Sequence, residues 1–155
     1  KYNNISQNIA HFGFSLLILS IVFNNFFSNE IITNLKVGET FESTKTKIVF
    51  ESIDQKKEKN YQSIVGNFSI QNSKGNLEYL SPELRIYNQP NIVTSEADIK
   101  TTLISDKFIV INLVQNQDYF NVRYQVKPFM LWIWVSVLLI SFGGLSSLFK
   151  KKYEK

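Results

Sequence analysis

The chain of 155 residues has no cysteine, which excludes disulfides, thiol nucleophiles and thiolate-ligated metals. It has one histidine, His11, and one methionine, Met130. Paired catalytic acids, a phosphate-binding glycine loop, a metal-ligand cluster and a Ser-His-Asp set are likewise missing from its pattern. Charge is absent only locally. No Lys, Arg, Asp or Glu occurs from Tyr2 to Asn29, and none from Phe129 to Phe149. At ~1.5 Å per residue, ~20 such residues cross a ~30 Å hydrocarbon core.

Two transmembrane helices are therefore expected, over residues 5–27 and 129–149. The first lacks the basic start of a secretory signal, and no small-x-small cleavage site follows Phe23. The chain opens on Lys1 and its only methionine is Met130, so it reads as a processed product or a piece of something longer. Between the helices, Glu30 to Lys127 carries twelve basic and twelve acidic residues. The net charge of +4 sits at the ends, with Lys1, Lys150, Lys151, Lys152 and Lys155 against Glu154. Basic flanks stay on the cytoplasmic or matrix side. Both termini are thus expected inside, with residues 150–155 a basic tail and residues 30–127 an outside domain. The positive excess reads as a membrane anchor, and no nucleic-acid partner is expected.

In the middle region the period changes from helical to two. Extended runs occur at Lys45–Ile53, Tyr61–Ile70, Leu77–Tyr87, Phe108–Val114 and Tyr119–Val126. Residues 72–76 and 115–118 have turn composition, and Lys56-Lys57-Glu58-Lys59 reads as a solvated loop. Tyr119–Val126 alternates, with Phe120, Val122, Tyr124 and Val126 on one side. Pro128 is expected to end pairing and start the second helix. The fold class expected is a membrane α+β chain: two transmembrane helices flanking an antiparallel β-sandwich or barrel-like extracytoplasmic domain of six or seven strands.

His11 falls inside the first helix. Asn4, Asn8, His11 and Ser15 share one face, expected to meet protein or cofactor. Ile9, Phe12, Leu16, Leu19 and Phe23 form another, expected to meet lipid. An imidazole at that depth needs a partner. One reading is a neutral ring hydrogen-bonded to a neighbouring helix; the other is an axial haem ligand. Met130 belongs to the opposite side of the membrane and cannot share an iron with His11, so a second protein ligand would come from a helix outside this chain. Trp132 and Trp134 stand at the outer interface, as headgroup anchors or as contacts to a partner or haem. Gly143-Gly144 permits close helix packing. Glu83 and Arg85 lie two apart on one strand, the spacing of a surface ion pair.

Taken in order, these segments resemble the C-terminal part of the CcmF family of haem-lyase membrane proteins. Ala10-His11-Phe12-Gly13 is similar to that family's histidine-bearing helix, and Gly38-Glu39 to the start of its outside domain. Pro82-Glu83-Leu84-Arg85-Ile86-Tyr87 matches a Pro-Glu-x-Arg-x-Tyr stretch. Thr94, Ala97, Ile99 and Asp106 follow in order. The most specific part is Arg123-Tyr124-Gln125-Val126-Lys127-Pro128 leading into Trp132-Ile133-Trp134 and Gly143-Gly144. Ser20 and Ser136 stand where the family has small glycines, and Lys107-Phe108 replaces a usual Leu-Tyr. The family's tryptophan-rich haem-handling region, external histidines and other helices are not in this chain.

The resemblance implies a cytochrome c maturation complex that takes haem from a haem chaperone and attaches it to a Cys-x-x-Cys-His motif of apocytochrome c. It implies a separate membrane haem b held by two histidines, one matching His11. Arg85, Tyr87, Arg123, Trp132 and Trp134 are then candidate partner contacts. The partners implied are the remaining lyase helices, the haem chaperone, and apocytochrome c with its thiol-reducing subunit. The membrane is bacterial inner or mitochondrial inner. The chain is expected to supply a ligand and a docking domain and no covalent chemistry of its own. The competing class is a non-enzymatic two-helix scaffold or sensor with an outside β-domain. A domain capturing carbohydrate or peptide has little support, since the aromatics are spread through the strands.

Overall fold

The computed structural model describes residues 5–73 and 75–153, with side chains through Ser147. Helix α1 spans Ile5–Phe27, and the charge-free run carries it to Ser28, whose N–H still donates to Asn24 O. Helix α2 spans Met130–Tyr153, so the helix continues into the basic segment. Both are long and apolar enough to cross a membrane, over Ile5–Phe27 and Met130–Ser147.

The two helices run antiparallel and meet through small residues. A Cβ on Gly13 would lie 3.0 Å from the backbone nitrogen of Ile140. Gly143 stacks on the Ser6–Ala10 turn, whereas Gly144 has open space where a side chain would be. Ser20 and Ser136 are both fully buried, so the two serines keep the close approach that glycine permits elsewhere. Ser136 Oγ donates to Trp132 O at 2.6 Å, satisfying its polarity within its own helix.

Between the helices the described residues form ten strands, more than the six or seven expected: β1 Asn29–Leu35, β2 Thr40–Glu42, β3 Thr46–Lys57, β4 Tyr61–Asn72, β5 Leu77–Leu80, β6 Glu83–Tyr87, β7 Ile92–Glu96, β8 Asp98–Thr101, β9 Ser105–Leu113 and β10 Phe120–Pro128. They make two sheets, ordered β1-β10-β9-β8 and β2-β3-β4-β6-β7, with β5 also on β4. This is the expected antiparallel sandwich flanked in sequence by two apolar helices. The core lies between the sheets. Leu35, Ile109, Ile111, Val122 and Tyr124 come from one, and Ile48, Phe50, Phe68, Ile70, Leu80 and Leu84 from the other. Phe50 and Phe68 are register partners whose rings stack at 4.3 Å.

Several local expectations need correction. Lys56 and Lys57 are strand, paired with Ser63 and Gln62; their side chains are exposed, but the backbone still extends the β3–β4 hairpin. Leu77–Tyr87 is two strands, both on β4. Pro82 has no N–H to donate, and at that break its carbonyl instead accepts from Gly66 N at 3.0 Å. Gly66 is needed there because a Cβ would meet the Phe68 ring at 2.9 Å. Pro128 closes β10 and does not open α2. Phe129 intervenes with φ +60°, and its carbonyl accepts from Trp132 N and Ile133 N to start the helix. The 72–76 turn forms as expected, with Gly75 at φ +81° donating to Asn72 O; Lys74 is outside the described residues. In the 115–118 turn, Asn116 takes the left-handed conformation at φ +61°.

Candidate functional site

His11 is exposed on α1, on the side turned away from α2, and Asn8 and Ser15 are exposed beside it. Asn4 lies outside the described residues. His11 Nδ1 is 2.7 Å from Gln7 O, one turn back. A carbonyl only accepts, so Nδ1 carries a proton, and in the neutral ring Nε2 then keeps its lone pair. That tautomer is the one a neutral imidazole needs to coordinate a metal through Nε2, with the ring's other nitrogen hydrogen-bonded and its orientation set. Ser15 Oγ donates to His11 O at 3.0 Å, which keeps the serine hydroxyl occupied by its own helix. An imidazole nitrogen of this kind could hold a haem iron. Among the described residues no group of three His, Cys, Asp or Glu comes together to hold a metal ion. Met130 lies thirteen residues along α2 from Gly143, which contacts Ala10; that is about 20 Å at ~1.5 Å per residue, too far to share an iron with His11.

The apolar face assigned to lipid is only partly so. Phe12 and Leu19 are exposed, but Ile9, Leu16 and Phe23 are half-buried, and the Phe23 ring lies 5.3 Å from Phe129. The face that contacts α2, through Ser6, Ala10, Gly13 and Ser20, was not anticipated. Small residues carry almost no hydropathy signal, so only the spacing of Gly13 and Ser20, seven apart, hinted at it.

Arg85 and Tyr87 come together on the outer surface of the larger sheet. Arg85 Nη2 donates to Glu83 Oε2 at 3.0 Å, and Nη1 lies 3.8 Å from Glu96 Oε1. The guanidinium sits 5.3 Å from the Tyr61 ring centre, and the Tyr61 and Tyr87 rings are 5.3 Å apart across the β4–β6 register. The hydrogen bond from Arg85 holds the Glu83 carboxyl below its ordinary range, and the same bond raises Arg85. Arg85 Nε has no partner among the described residues. Tyr61 was missed as part of this group, because cross-strand register is not readable from one strand.

Arg123 lies on the outer surface of the smaller sheet, where it pairs with Glu30, which also accepts from Gln125 Nε2 at 2.6 Å. The sandwich therefore separates Arg123 from Arg85 and Tyr87, on opposite outer surfaces. Trp132 and Trp134 sit in the first turns of α2. Trp132 Nε1 donates to Leu103 O at 2.8 Å, and Trp134 is exposed. Within the sandwich, Arg85 with Tyr87 and, separately, Arg123 thus form two stations and not one pocket.

The family described as the CcmF C-terminal beta-sandwich matches residues 26–128, which is every strand of the sandwich. The chain belongs to the CcmF family. A CcmF cytochrome c-type biogenesis protein of Pseudomonas fluorescens is 28% identical over 148 residues, 96% of this chain and 22% of that protein. The Escherichia coli CcmF is 26% identical over 94% of this chain and 23% of its own length. A solved structure titled cytochrome c heme lyase CcmF superposes with TM-score 0.68 at 18% identity, covering 91% of this chain and 24% of that one. The chain thus spans less than a quarter of these CcmF relatives. The solved CcmF structure bears on the fold, and the family assignment rests on the sequence match through the sandwich.

Proposed function

We propose that this chain is the C-terminal part of a cytochrome c maturation haem lyase, supplying His11 as one axial ligand of a membrane haem b. In this reading α1 and α2 cross a bacterial or mitochondrial inner membrane with both termini inside. The β-sandwich faces outward and helps dock a haem chaperone and apocytochrome c. Family membership supports the process, and one observation carries the ligand assignment: His11 turns away from α2 with Nδ1 donating to Gln7 O. In the neutral ring a protonated Nδ1 leaves Nε2 as the donor atom, and the Gln7 carbonyl orients the ring. When bound, the haem supplies one-electron chemistry. The residues of this chain orient the ring, keep its tautomer, and hold the helix against α2 through Gly13. Arg85 with Tyr87, and separately Arg123, supply charged and aromatic contacts of the kind that anchor transient partners.

The test is His11→Ala in the haem lyase that carries this chain, purified from membranes. The expected result is loss of the reduced b-type haem absorbance with unchanged protein accumulation. A His11→Ala protein that kept its b-haem spectrum would remove the ligand assignment and return the two-helix scaffold reading. Docking is tested with Arg85→Ala combined with Tyr87→Ala, which should weaken capture of apocytochrome peptide or haem chaperone by roughly tenfold. Unchanged capture would place docking elsewhere.

A further inference from the structure

We infer that the tip of the β8–β9 hairpin, Leu103-Ile104, inserts into the outer phospholipid interface as a second membrane contact beside the helices. The inference rests on α1 and α2 spanning the membrane as proposed above. The segment Thr101–Asp106 belongs to the same compact body as the helices. At its tip Leu103 is 71% exposed and Ile104 69% exposed, two adjacent aliphatic side chains left largely uncovered by the described residues.

The backbone of this tip is prepared for a medium that offers few hydrogen bonds. Thr102 N donates to Ser105 O at 3.0 Å, Thr102 Oγ1 donates to the same oxygen at 2.7 Å, and Ser105 N donates back to Thr102 Oγ1 at 3.1 Å. The carbonyls of Leu103 and Ile104 are taken by Trp132 Nε1 at 2.8 Å and Phe129 N at 2.8 Å. Both tip carbonyls are satisfied inside the protein while the apolar side chains turn out, an arrangement suited to entry into a bilayer.

Depth follows from the helix. Trp132 lies eighteen residues before Lys150 on α2, about 27 Å at ~1.5 Å per residue, against a ~30 Å hydrocarbon core. With Lys150 at the inner boundary, Trp132 falls at the outer one, the level where indole rings concentrate. Its ring nitrogen holds Leu103 at that level. Phe129 holds Ile104 there through a main-chain bond at the helix start. Occupancy by lipid follows from position as well as composition: two apolar side chains are fixed at the depth where headgroups give way to acyl chains.

The chain has no cysteine, so single thiols can be introduced cleanly for labelling. Ile104→Cys, Leu138→Cys and Asn116→Cys would each carry a polarity-sensitive fluorophore in the full chain reconstituted in phosphatidylcholine nanodiscs. Leu138 is an exposed residue midway along α2, and Asn116 is in the β9–β10 turn. The expected result is quenching at 104 and 138 by bromine-labelled lipid, shallow for 104 and deep for 138. Aqueous iodide should quench position 104 at least roughly threefold less than position 116, as for side chains seated ~5–10 Å into the headgroup boundary. Iodide quenching at 104 equal to that at 116, with 138 protected, overturns this inference and leaves the spanning helices intact. Protection at 104 from both iodide and brominated lipid means a protein covers the tip, and also overturns it. Iodide access at 138 overturns the spanning reading itself and this inference with it.

Discussion

Gly143 and Ala10 touch so closely that a Cβ on Gly143 would lie 2.7 Å from the Ala10 backbone nitrogen and 2.8 Å from Ser6 O. Neither obstacle is a side-chain end that can swing away. Gly143→Val should therefore push the helices apart, at a cost of about 1–3 kcal/mol, the range for overpacking a fitted interface. Gly144 has nothing within 4 Å, so Gly144→Ala should leave the pair unchanged. Thermal unfolding of the full chain in micelles compares the two. Equal losses from both variants would mean that the effect is not the contact with α1.

Lys107 Nζ and Glu78 Oε1 are 2.6 Å apart, with side chains 14% and 13% exposed. The second Glu78 oxygen has no partner among the described residues. Lys107→Leu alone then strands a mostly buried carboxylate, with an expected loss of about 3–5 kcal/mol. Lys107→Leu with Glu78→Leu should recover most of it, since an apolar pair needs no compensation. Denaturant midpoints of the three proteins decide the matter. A single variant as stable as the parent would show that the pair is solvated.

Legibility tracked what each side chain contributes to hydropathy. Helices α1 and α2 stood out because Tyr2–Asn29 and Phe129–Phe149 exclude every charge. Strand β10 stood out because the buried Val122 and Tyr124 alternate with a half-buried Asn121 and an exposed Arg123. Strand β1 did not: in Asn29–Leu35 the adjacent Ile31 and Ile32 break the period-two alternation. Lys56 and Lys57 hid a strand because solvated side chains say nothing about main-chain pairing. At the site, the spacing of Asn8, His11 and Ser15 made the outward face readable. The Nδ1 bond to Gln7 O and the Tyr61 ring beside Arg85 depend on a rotamer and a register, which no residue pattern encodes.

Tyr124 has a buried hydroxyl with no hydrogen-bond partner among the described residues. Burial, and secondarily the Glu78 carboxylate, push its phenol up from 10.0 to about 12. The folded state thus keeps the Tyr124 proton at pH values where the unfolded chain has released it. The sign follows from linkage: a folded pKa above the unfolded one contributes stability that is complete below pH 10 and is lost as pH rises toward 12. Tyr124→Phe keeps the ring in the core and removes the ionisable group. Two outcomes are expected. At neutral pH the variant should match the parent within ~1 kcal/mol, since no hydrogen bond is given up and an unsatisfied group is removed. Above pH 10 the parent's denaturant midpoint should fall more steeply than the variant's. A variant that is much weaker at neutral pH would show that the hydroxyl is bonded after all. Parallel decline of the two proteins in alkali would show that Tyr124 ionises no later in the folded chain than in the unfolded one.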